Sequence, residues 1–364
     1  MDPIRVLIVD DSSVVRRLLK EALAPAEDIV VSGAAPDGQS ALDMLARELP
    51  DLVTLDVEMP RMDGLTALKE IRRLYPRLPV IMFSTLTERG GRYTIEALTC
   101  GANDYVTKPE QMKDVDHAVE SIRRELLPRI RNLSQRFRKP DRHAAAPVPA
   151  SPSRVIPAPP VRRPMNVMRR VEGIAIGVST GGPEALRTLL SGLPASLPVP
   201  VVLVQHMPPL FTRILAERLD AECPIRVREV ADGDTVHAGT VYIAPGGKHM
   251  VLDKVNGELI LKTNDDPPEN SCRPAVDVLF RSVSRIWGPS TLAVILTGMG
   301  ADGREGCRRL AELGAQVLVQ DEASSVVWGM PGAVAAAGLA EEILPLDRIA
   351  ARLVEKCGVG RVLV

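Results

Sequence analysis

The sequence predicts an α/β protein made of two domains joined by a linker. Residues 1–125 alternate short aliphatic runs with amphipathic stretches, which is the pattern of a doubly wound parallel sheet. Residues 126–170 are rich in Pro and basic residues, and the aliphatic runs return in 171–364. Aromatic residues make up only 3% of the chain, so Val, Leu, Ile, Ala and Met must fill the cores, as in parallel sheets that are buried on both faces.

Five strands and five helices are predicted in the first domain. The strands are Ile4–Val9, Ile29–Ala34, Leu52–Leu55, Val80–Ser84 and Asp104–Val106, and the helical patterns lie near 13–24, 38–48, 64–74, 91–100 and 112–126. Two of these strands run directly into carboxylates, Asp10 and Asp56. Ligands bind at the carboxyl ends of parallel strands, so this edge of the sheet is a candidate site.

The linker contains the sequence PVPASPSRVIPAPPVRRP. Proline cannot propagate a helix or donate to a sheet ladder, so we expect an extended, semi-rigid segment. Its basic residues could touch an acidic surface, but a solvated linker held open by like-charge repulsion is the simpler interpretation.

The second domain is predicted to be mainly parallel, with a hairpin inserted in it. Its predicted strands are Gly173–Val178, Val199–Val204, Ile225–Val230, Thr240–Ile243, Thr291–Leu296 and Gln316–Val319. Val251–Val255 and Glu258–Lys262 flank Asn256-Gly257, a dipeptide typical of two-residue hairpin turns.

Composition argues against several classes of protein. The formal net charge is −1, so nothing draws the whole chain toward nucleic acid. We expect no signal peptide and no membrane-spanning helix, because the sequence has neither pattern. The five Cys residues are dispersed without a C-x-x-C pair, which favours reduced thiols over disulfides or a zinc site and predicts a cytoplasmic protein.

Acidic residues gather at the predicted strand ends of the first domain. Asp10 and Asp11 end the first strand, Asp56 ends the third within LDVEMPRMDG, and Lys108 follows the fifth. Clustered carboxylates repel one another unless a hard cation such as Mg²⁺ neutralises them. Such a cation, together with the Lys108 ammonium and the Ser84 hydroxyl, would suit a phosphoryl group arriving at a carboxylate. Each Asp taken alone could be only a helix cap or a turn residue.

The combination of these motifs over residues 1–125 resembles the receiver domain of bacterial response regulators, a flavodoxin-like fold. The resemblance implies that Asp56 accepts the phosphoryl group and that Lys108–Pro109 is a candidate cis peptide bond. It also implies that Asp11, Asp56 and the backbone carbonyl of Glu58 bind Mg²⁺ and that Asp10 supports the metal. Ser84 and Tyr105 are the implied switch pair, and Lys108 is the implied phosphate contact.

A nucleophile is predicted where the first strand of the second domain ends. Gly177-Val178-Ser179-Thr180-Gly181 fits G-x-S-x-G at a strand-to-helix turn, where small neighbours leave a serine exposed beside helix N-terminal N–H groups. A phosphate cradle is an alternative, although the Lys-Ser/Thr of a P-loop is missing, and so is a plain capping turn.

His206 and Asp302 are the predicted partners of this serine. His206 follows the next strand in QHMP, and Asp302 follows a later strand in TGMGADG. A nucleophile, a general base and an orienting carboxylate can converge from three strand ends. His249 is a rival substrate contact, whereas His237 lies in a polar turn and His143 in the linker. The order Ser…His…Asp excludes the α/β-hydrolase fold, whose order is Ser…Asp…His.

Five motifs together resemble the catalytic domain of the chemotaxis protein-glutamate methylesterases: GVSTGG, QHMP, RPAVDVLF, TGMGADG and GMPGAV. With the receiver and the linker ahead of it, the whole chain resembles a response-regulator methylesterase. Ser271-Cys272 before Arg273 departs from the family pattern, which affects local substrate contacts rather than the triad. The oxyanion-hole candidates are the backbone N–H groups in the turns at Gly181, Gly182, Met299 and Gly300.

The resemblance implies a serine hydrolase that demethylates glutamyl methyl esters on the cytoplasmic domains of chemoreceptors and deamidates their glutamines. It implies Mg²⁺ for phosphorylation, no cofactor for ester hydrolysis, and a chemotaxis-type histidine kinase as phosphodonor. We expect the unphosphorylated receiver to cover the catalytic cleft. Neither nucleic acid binding nor membrane insertion is expected, and the sequence does not reveal the oligomeric state.

Three alternative functions are also compatible with the sequence. The second domain could bind receptors without chemistry, the basic linker could bind DNA, or the triad could act on another ester or amide. Methanol release separates the first of these from an esterase. A near-neutral charge and the absence of a terminal helix-turn-helix pattern count against the second.

Overall fold

The structure is a computed structural model that describes residues 2–109, 115–138 and 170–358. Most of the predicted linker lies outside these residues. No helix in the described part of the chain is long and apolar enough to cross a membrane.

The N-terminal domain is a five-stranded parallel sheet in the order β2-β1-β3-β4-β5, as the sequence predicts for a doubly wound domain. Its strands are β1 (Ile4–Val9), β2 (Ile29–Ala35), β3 (Leu52–Asp56), β4 (Val80–Ser84) and β5 (Asp104–Thr107). Its helices are α1 (Ser13–Leu23), α2 (Gly38–Arg47), α3 (Gly64–Leu74), α4 (Glu88–Thr99) and α5 (Val115–Arg138). The side chains of β3 and β4 are fully buried because helices cover both faces of the sheet.

Helix α5 is longer than the sequence analysis predicts. It continues through Pro128 to Arg138, so the predicted helix end near 126 is wrong and the first part of the predicted linker is helical. Proline removes one helical hydrogen bond. Leu126, Ile130 and Leu133 nevertheless recur at helical spacing and are fully buried in the core of this domain. Their burial, worth about 2 kcal/mol each, explains why the helix passes the proline.

The C-terminal domain contains a seven-stranded parallel sheet in the order β15-β14-β13-β6-β7-β10-β8. The strands of the domain are β6 (Gly173–Val178), β7 (Val201–Gln205), β8 (Arg226–Glu229), β9 (Asp234–Thr235), β10 (Thr240–Ile243), β11 (His249–Val255), β12 (Glu258–Asn264), β13 (Thr291–Ile295), β14 (Gln316–Gln320) and β15 (Glu342–Leu344). The helices are α6 (Gly182–Ser191), α7 (Phe211–Glu222), α8 (Val276–Ile286), α9 (Arg304–Glu312), α10 (Met330–Ala336) and α11 (Leu346–Gly358), with a 3₁₀ turn at Gly288–Ser290.

The predicted hairpin insert is confirmed. Strands β11 and β12 pair antiparallel, and Val255 faces Glu258 across the two-residue turn. Asn256 and Gly257 both have positive φ, 52° and 89°, as a tight hairpin turn of this type requires. The two-residue strand β9, which no sequence pattern predicts, pairs with β12 and makes the insert a three-stranded sheet.

Candidate functional site

The acidic cluster forms at the carboxyl edge of the N-terminal sheet. Ligand oxygens of Asp10, Asp11 and Asp56 lie within 4.8 Å of one another. Asp10 and Asp56 are buried, whereas Asp11 is exposed. The Lys108 ammonium lies 2.8 Å from Asp10 Oδ2 and 2.8 Å from Asp56 Oδ2. Asp11, Asp56 and Lys108 line a pocket together with Glu58 and Ser84, and Asp10 pairs with the same Lys108 ammonium.

Electrostatics in this pocket favour a cation. Burial raises the pKa of Asp56 to about 6, against the opposing effect of Lys108, and the Asp10 charge raises it further. Burial also raises the pKa of Asp10. Burial alone would lower the pKa of Lys108, but Asp56 and Asp10 outweigh it and raise this pKa. The exclusively oxygen donors and their mutual repulsion fit a hard divalent ion such as Mg²⁺.

The predicted switch pair reaches from this pocket to the other domain. Ser84 is buried, and its hydroxyl donates to the carbonyl of Thr85 at 3.3 Å and to that of Gly90 at 3.4 Å. The Tyr105 ring stacks on Phe211 of α7, with centroids 5.1 Å apart and planes 15° apart. The prediction of a cis bond at Lys108–Pro109 is wrong, because the cis peptide bond found among the described residues is Arg273–Pro274.

Ser179 lies in the tight turn between β6 and α6. Its backbone N–H donates to Thr297 O at 3.0 Å, and its carbonyl accepts from Gly182 N at 2.8 Å. Gly181 has φ 77°, a left-handed conformation that suits glycine. A Cβ on Gly298 would lie 2.9 Å from Ser179 Cβ, so the glycine leaves room for the serine. The strand-to-helix turn predicted from G-x-S-x-G is confirmed.

His206 and Asp302 meet beside this serine. The backbone N–H of His206 donates to Val178 O at 3.1 Å, which sets His206 beside Ser179 on the neighbouring strand. His206 Nε2 donates to Asp302 Oδ2 at 2.8 Å. The other ring nitrogen, Nδ1, lies 3.6 Å from Cys272 Sγ. The Ser179 hydroxyl itself makes no hydrogen bond to any residue that the structure describes.

The histidine and the carboxylate are strongly coupled. Burial alone would lower the pKa of His206, but the hydrogen bond to Asp302 and the contact with Cys272 raise it to about 9. Burial alone would raise the pKa of Asp302, yet His206 and backbone N–H donors lower it. The contact with Asp302 therefore stabilises the imidazolium relative to the neutral imidazole, and Nδ1 is the ring nitrogen that does not bond to Asp302.

The rival histidines do not join the site. His249 is fully buried, with Nε2 donating to Pro267 O at 3.1 Å and Nδ1 accepting from Ala275 N at 3.2 Å. Both of its nitrogens are used, so it supports the backbone and cannot contact a substrate. His237 is exposed, and His143 lies outside the described residues.

The structure separates the candidates for the oxyanion hole. The Gly182 N–H is used within the turn, where it donates to Ser179 O, so this candidate is wrong. The N–H groups of Gly181, Met299 and Gly300 have no acceptor among residues 2–109, 115–138 and 170–358, and they stay candidates. The N–H of Thr180, which is not among the predicted candidates, also has no acceptor in the part of the chain that the structure describes.

The N-terminal domain contacts the turns that carry these groups. Thr180, next to Ser179, donates from Oγ1 to Asp104 Oδ2 at 2.8 Å. Asp104 Oδ2 also forms an ion pair with Arg129 of α5, whose Nε lies 3.3 Å away. On the same helix, Asn132 Nδ2 lies 2.7 Å from Met299 Sδ. Strand β5 and helix α5 thus contact the second domain at Thr180 and at Met299.

Further contacts extend this interface along α4 and α7. Arg92 pairs with Glu217 at 3.2 Å, and Arg213 pairs with Glu88 at 3.5 Å. Gly91 lies so close to α7 that a Cβ there would come within 2.9 Å of Ile214 Cδ1. The contacts between α4 and α7 therefore combine apolar packing with exposed ion pairs.

Comparisons with known proteins match both domains. The family model described as CheB methylesterase matches residues 174–353, and the response regulator receiver domain model matches residues 6–120. A protein-glutamate methylesterase/protein-glutamine glutaminase of Trichodesmium erythraeum is 50% identical over 358 residues, covering 98% of this chain and 100% of the relative. One of Nocardioides sp. is 50% identical over 346 residues, covering 95% and 93%. The solved CheB methylesterase catalytic domain of Thermotoga maritima has 41% identity and a TM-score of 0.50, covering 51% of this chain and 99% of that one.

Proposed function

Because this chain belongs to the CheB-type protein-glutamate methylesterase/protein-glutamine glutaminase family, we propose that Ser179, His206 and Asp302 carry out its hydrolytic reaction. The chain is a methylesterase and glutaminase with a regulatory receiver domain. Its substrates are chemoreceptors, and a histidine kinase supplies the phosphoryl group that activates it.

Ester hydrolysis begins with attack of the Ser179 oxygen on the glutamyl ester carbonyl. His206 Nδ1 takes the serine proton in its neutral form, since Nε2 is held by Asp302. Asp302 fixes the tautomer and stabilises the imidazolium that forms. The unused N–H groups near Thr180 and Met299 stabilise the oxyanion, each contributing about 3 kcal/mol.

Collapse of the tetrahedral intermediate breaks the ester bond. The imidazolium returns its proton to the leaving oxygen, methanol departs and an acyl-Ser179 remains. Water then attacks this acyl group, His206 again takes the proton, and a free glutamate side chain is released. A glutamine amide follows the same steps with ammonia as the leaving group.

The observation that carries this proposal is the hydrogen bond from His206 Nε2 to Asp302 Oδ2 beside the Ser179 turn. It gives the imidazole a defined tautomer, which a module that only binds receptors does not need. Replacing Ser179 with Ala should abolish methanol release while phosphorylation continues. If a Ser179→Ala protein releases methanol at the wild-type rate, the nucleophile is another residue.

For the receiver we propose that Asp56 is phosphorylated, with a divalent ion held by Asp10, Asp11, Asp56 and the Glu58 carbonyl. Mg²⁺, when bound there, neutralises charge on the transferring phosphoryl group. Lys108 contacts a phosphate oxygen, and Ser84 donates a hydroxyl to another. Because Tyr105 stacks on Phe211, reorganisation of the Ser84–Tyr105 pair acts directly on the domain contact.

We further propose that the unphosphorylated receiver inhibits the esterase by covering the cleft. The bond between Thr180 and Asp104 supports this, because it ties the residue after the nucleophile to the receiver. A chain starting near residue 165 should be more active than the unphosphorylated full-length protein, whereas equal activities would exclude an inhibitory receiver. We place the protein in the cytoplasm, where the cytoplasmic domains of the receptors lie.

The alternative that the enzyme acts on a different ester or amide is tested with methylated receptor membranes. Receptor membranes with labelled methyl esters should lose label to methanol. Retention of all label, with activity on a small ester, would point to another substrate.

A further inference from the structure

The carboxylate of Asp302 is held by more donors than its role toward His206 requires. It is 3% exposed. Its Oδ2 accepts from His206 Nε2 at 2.8 Å and from Val276 N at 2.7 Å. Its Oδ1 accepts from Asp277 N at 3.0 Å, from Gly303 N at 2.9 Å and from the side-chain amide of Asn270 at 2.8 Å. Asn270 is the only side-chain donor to Oδ1 among the residues that the structure describes.

A second buried carboxylate, that of Asp277, lies directly behind the first. Asp277 is 3% exposed, and its Oδ1 accepts from Gly306 N at 2.7 Å. Its Oδ2 accepts from the same Asn270 Nδ2, at 3.0 Å. Burial and then the charge of Asp302 raise the pKa of Asp277. Two buried like charges repel, and the Asn270 amide group bonds to both.

The backbone at Asn270 is shaped for this contact. Asn270 has φ 52° and Ser271 has φ 61°, a left-handed conformation that asparagine tolerates better than most residues. Glu269 and Cys272 close the turn by exchanging backbone hydrogen bonds at 3.1 Å and 2.9 Å. Arg281 anchors it with two bonds to Glu269, at 2.5 Å and 2.6 Å. This turn therefore holds the Asn270 amide rigidly between the carboxylates.

We propose that Asn270 is a positioning residue for ester hydrolysis, whose amide keeps Asp302 and Asp277 both ionised and directs Asp302 Oδ2 toward His206. The proposal rests on the proposed function, since it assigns Asn270 a role through the Ser179–His206–Asp302 triad. Asp277 takes part as the carboxylate that the amide must separate from Asp302.

The perturbation is Asn270→Gly, which keeps the left-handed backbone and removes the amide. Without the amide the two carboxylates share a proton at higher pH, so Asp302 stabilises the imidazolium less. The pH-independent maximum of kcat should fall about ten- to a hundredfold, as expected for loss of one hydrogen bond to a charged group, with KM little changed. The rise of activity with pH should also move to lower pH, because the pKa of His206 falls from its raised value near 9.

The Asn270→Asp variant distinguishes a positioning role of Asn270 from a packing role. Aspartate has the same shape and tolerates the same φ, but it replaces the donor with an acceptor. If Asn270 only fills space in the turn, the Asp variant keeps wild-type kcat. The proposal requires it to lose at least as much activity as the Gly variant. Imidazole NMR of His206 in Ser179→Ala protein reports the shift in its pKa independently of turnover.

Asn256 supplies a matched control. It has the same φ of 52° and is exposed in the β11–β12 turn, away from Asp302. Asn256→Gly should leave kcat and the pH profile unchanged. Wild-type kcat and an unshifted His206 titration in Asn270→Gly would overturn the proposal, whereas failure of the wild-type protein to release methanol would overturn the proposed function instead.

Discussion

Replacing Asp104 with Ala should raise the esterase activity of the unphosphorylated protein. Asp104 Oδ2 accepts from Thr180 Oγ1 at 2.8 Å, across the domain interface and next to the nucleophile. A hydrogen bond to a buried charge contributes about 1.5–3 kcal/mol, so its loss shifts the closed-to-open equilibrium about ten- to a hundredfold. The Tyr105–Phe211 stack and two exposed ion pairs remain, each ion pair worth about 1 kcal/mol or less, so release should be partial.

The assay is methanol release from methylated receptor membranes, without a phosphodonor and then with one. Without a phosphodonor, Asp104→Ala should release methanol faster than the wild-type protein. Adding the phosphodonor should stimulate it less than it stimulates the wild-type protein. Asp28→Ala is the matched control, because Asp28 also pairs with an arginine of α5, Arg131, at 2.8 Å, but does not reach the second domain. Its basal activity should equal that of the wild-type protein.

Two results would refute this reasoning. One is a wild-type basal rate in Asp104→Ala alongside a clear gain in the chain that starts near residue 165. The other is an equal gain in Asp104→Ala and Asp28→Ala, which would mean that general destabilisation of the receiver, rather than loss of the Thr180 contact, releases the esterase.

Three further predictions concern titration and reactivity. Burial raises the pKa of Asp56 from 3.8 to about 6, so the folded receiver loses stability as pH rises from about 4 and the loss is complete above about 6. Asp56→Asn should therefore add about 1–3 kcal/mol of stability at neutral pH and almost none below about pH 4, as measured by urea unfolding. Because the pKa of His206 is raised to about 9, the neutral imidazole is scarce at neutral pH. The value of kcat/KM should therefore rise about tenfold per pH unit and level off near pH 9. A kcat/KM that stays constant from about pH 6 to 9 would contradict this assignment of the general base. Cys272 Sγ lies 3.6 Å from His206 Nδ1, so alkylation of Cys272 by iodoacetamide should inactivate the esterase by placing a bulky group at the general base. A Cys272→Ser protein should be active and resistant to iodoacetamide. Equal inactivation of both proteins would assign the effect to another residue.

Much of the fold could be predicted because burial dictates where aliphatic residues recur along the sequence. Strands such as Gly173–Val178 are aliphatic throughout, and both faces are indeed buried. The carboxyl ends of parallel strands also lie at one edge of the sheet. The proximity of Ser179, His206 and Asp302 could therefore be predicted from their positions at strand ends alone. The structure brings His206 Nε2 to 2.8 Å from Asp302 Oδ2, as that argument predicts for these two residues.

Other features depend on tertiary packing that no local pattern contains. Pro128 indicates a helix end, but the burial of Leu126 and Ile130 outweighs it. Asn270 lies in a polar segment between the hairpin and α8, and only the folded turn brings its amide to Asp302. The unused Thr180 N–H could have been expected, since the residue after a G-x-S-x-G nucleophile commonly supplies an oxyanion donor.

The central claim is that receiver phosphorylation controls a Ser179 esterase. The most direct measurement is methanol release from methyl-labelled receptor membranes by wild-type, Asp56→Asn and Ser179→Ala proteins, each with and without a phosphodonor and Mg²⁺. We predict stimulated release by the wild-type protein, an unstimulated basal rate for Asp56→Asn, and no release by Ser179→Ala under either condition. Methanol release by Ser179→Ala, or full stimulation of Asp56→Asn, would contradict it.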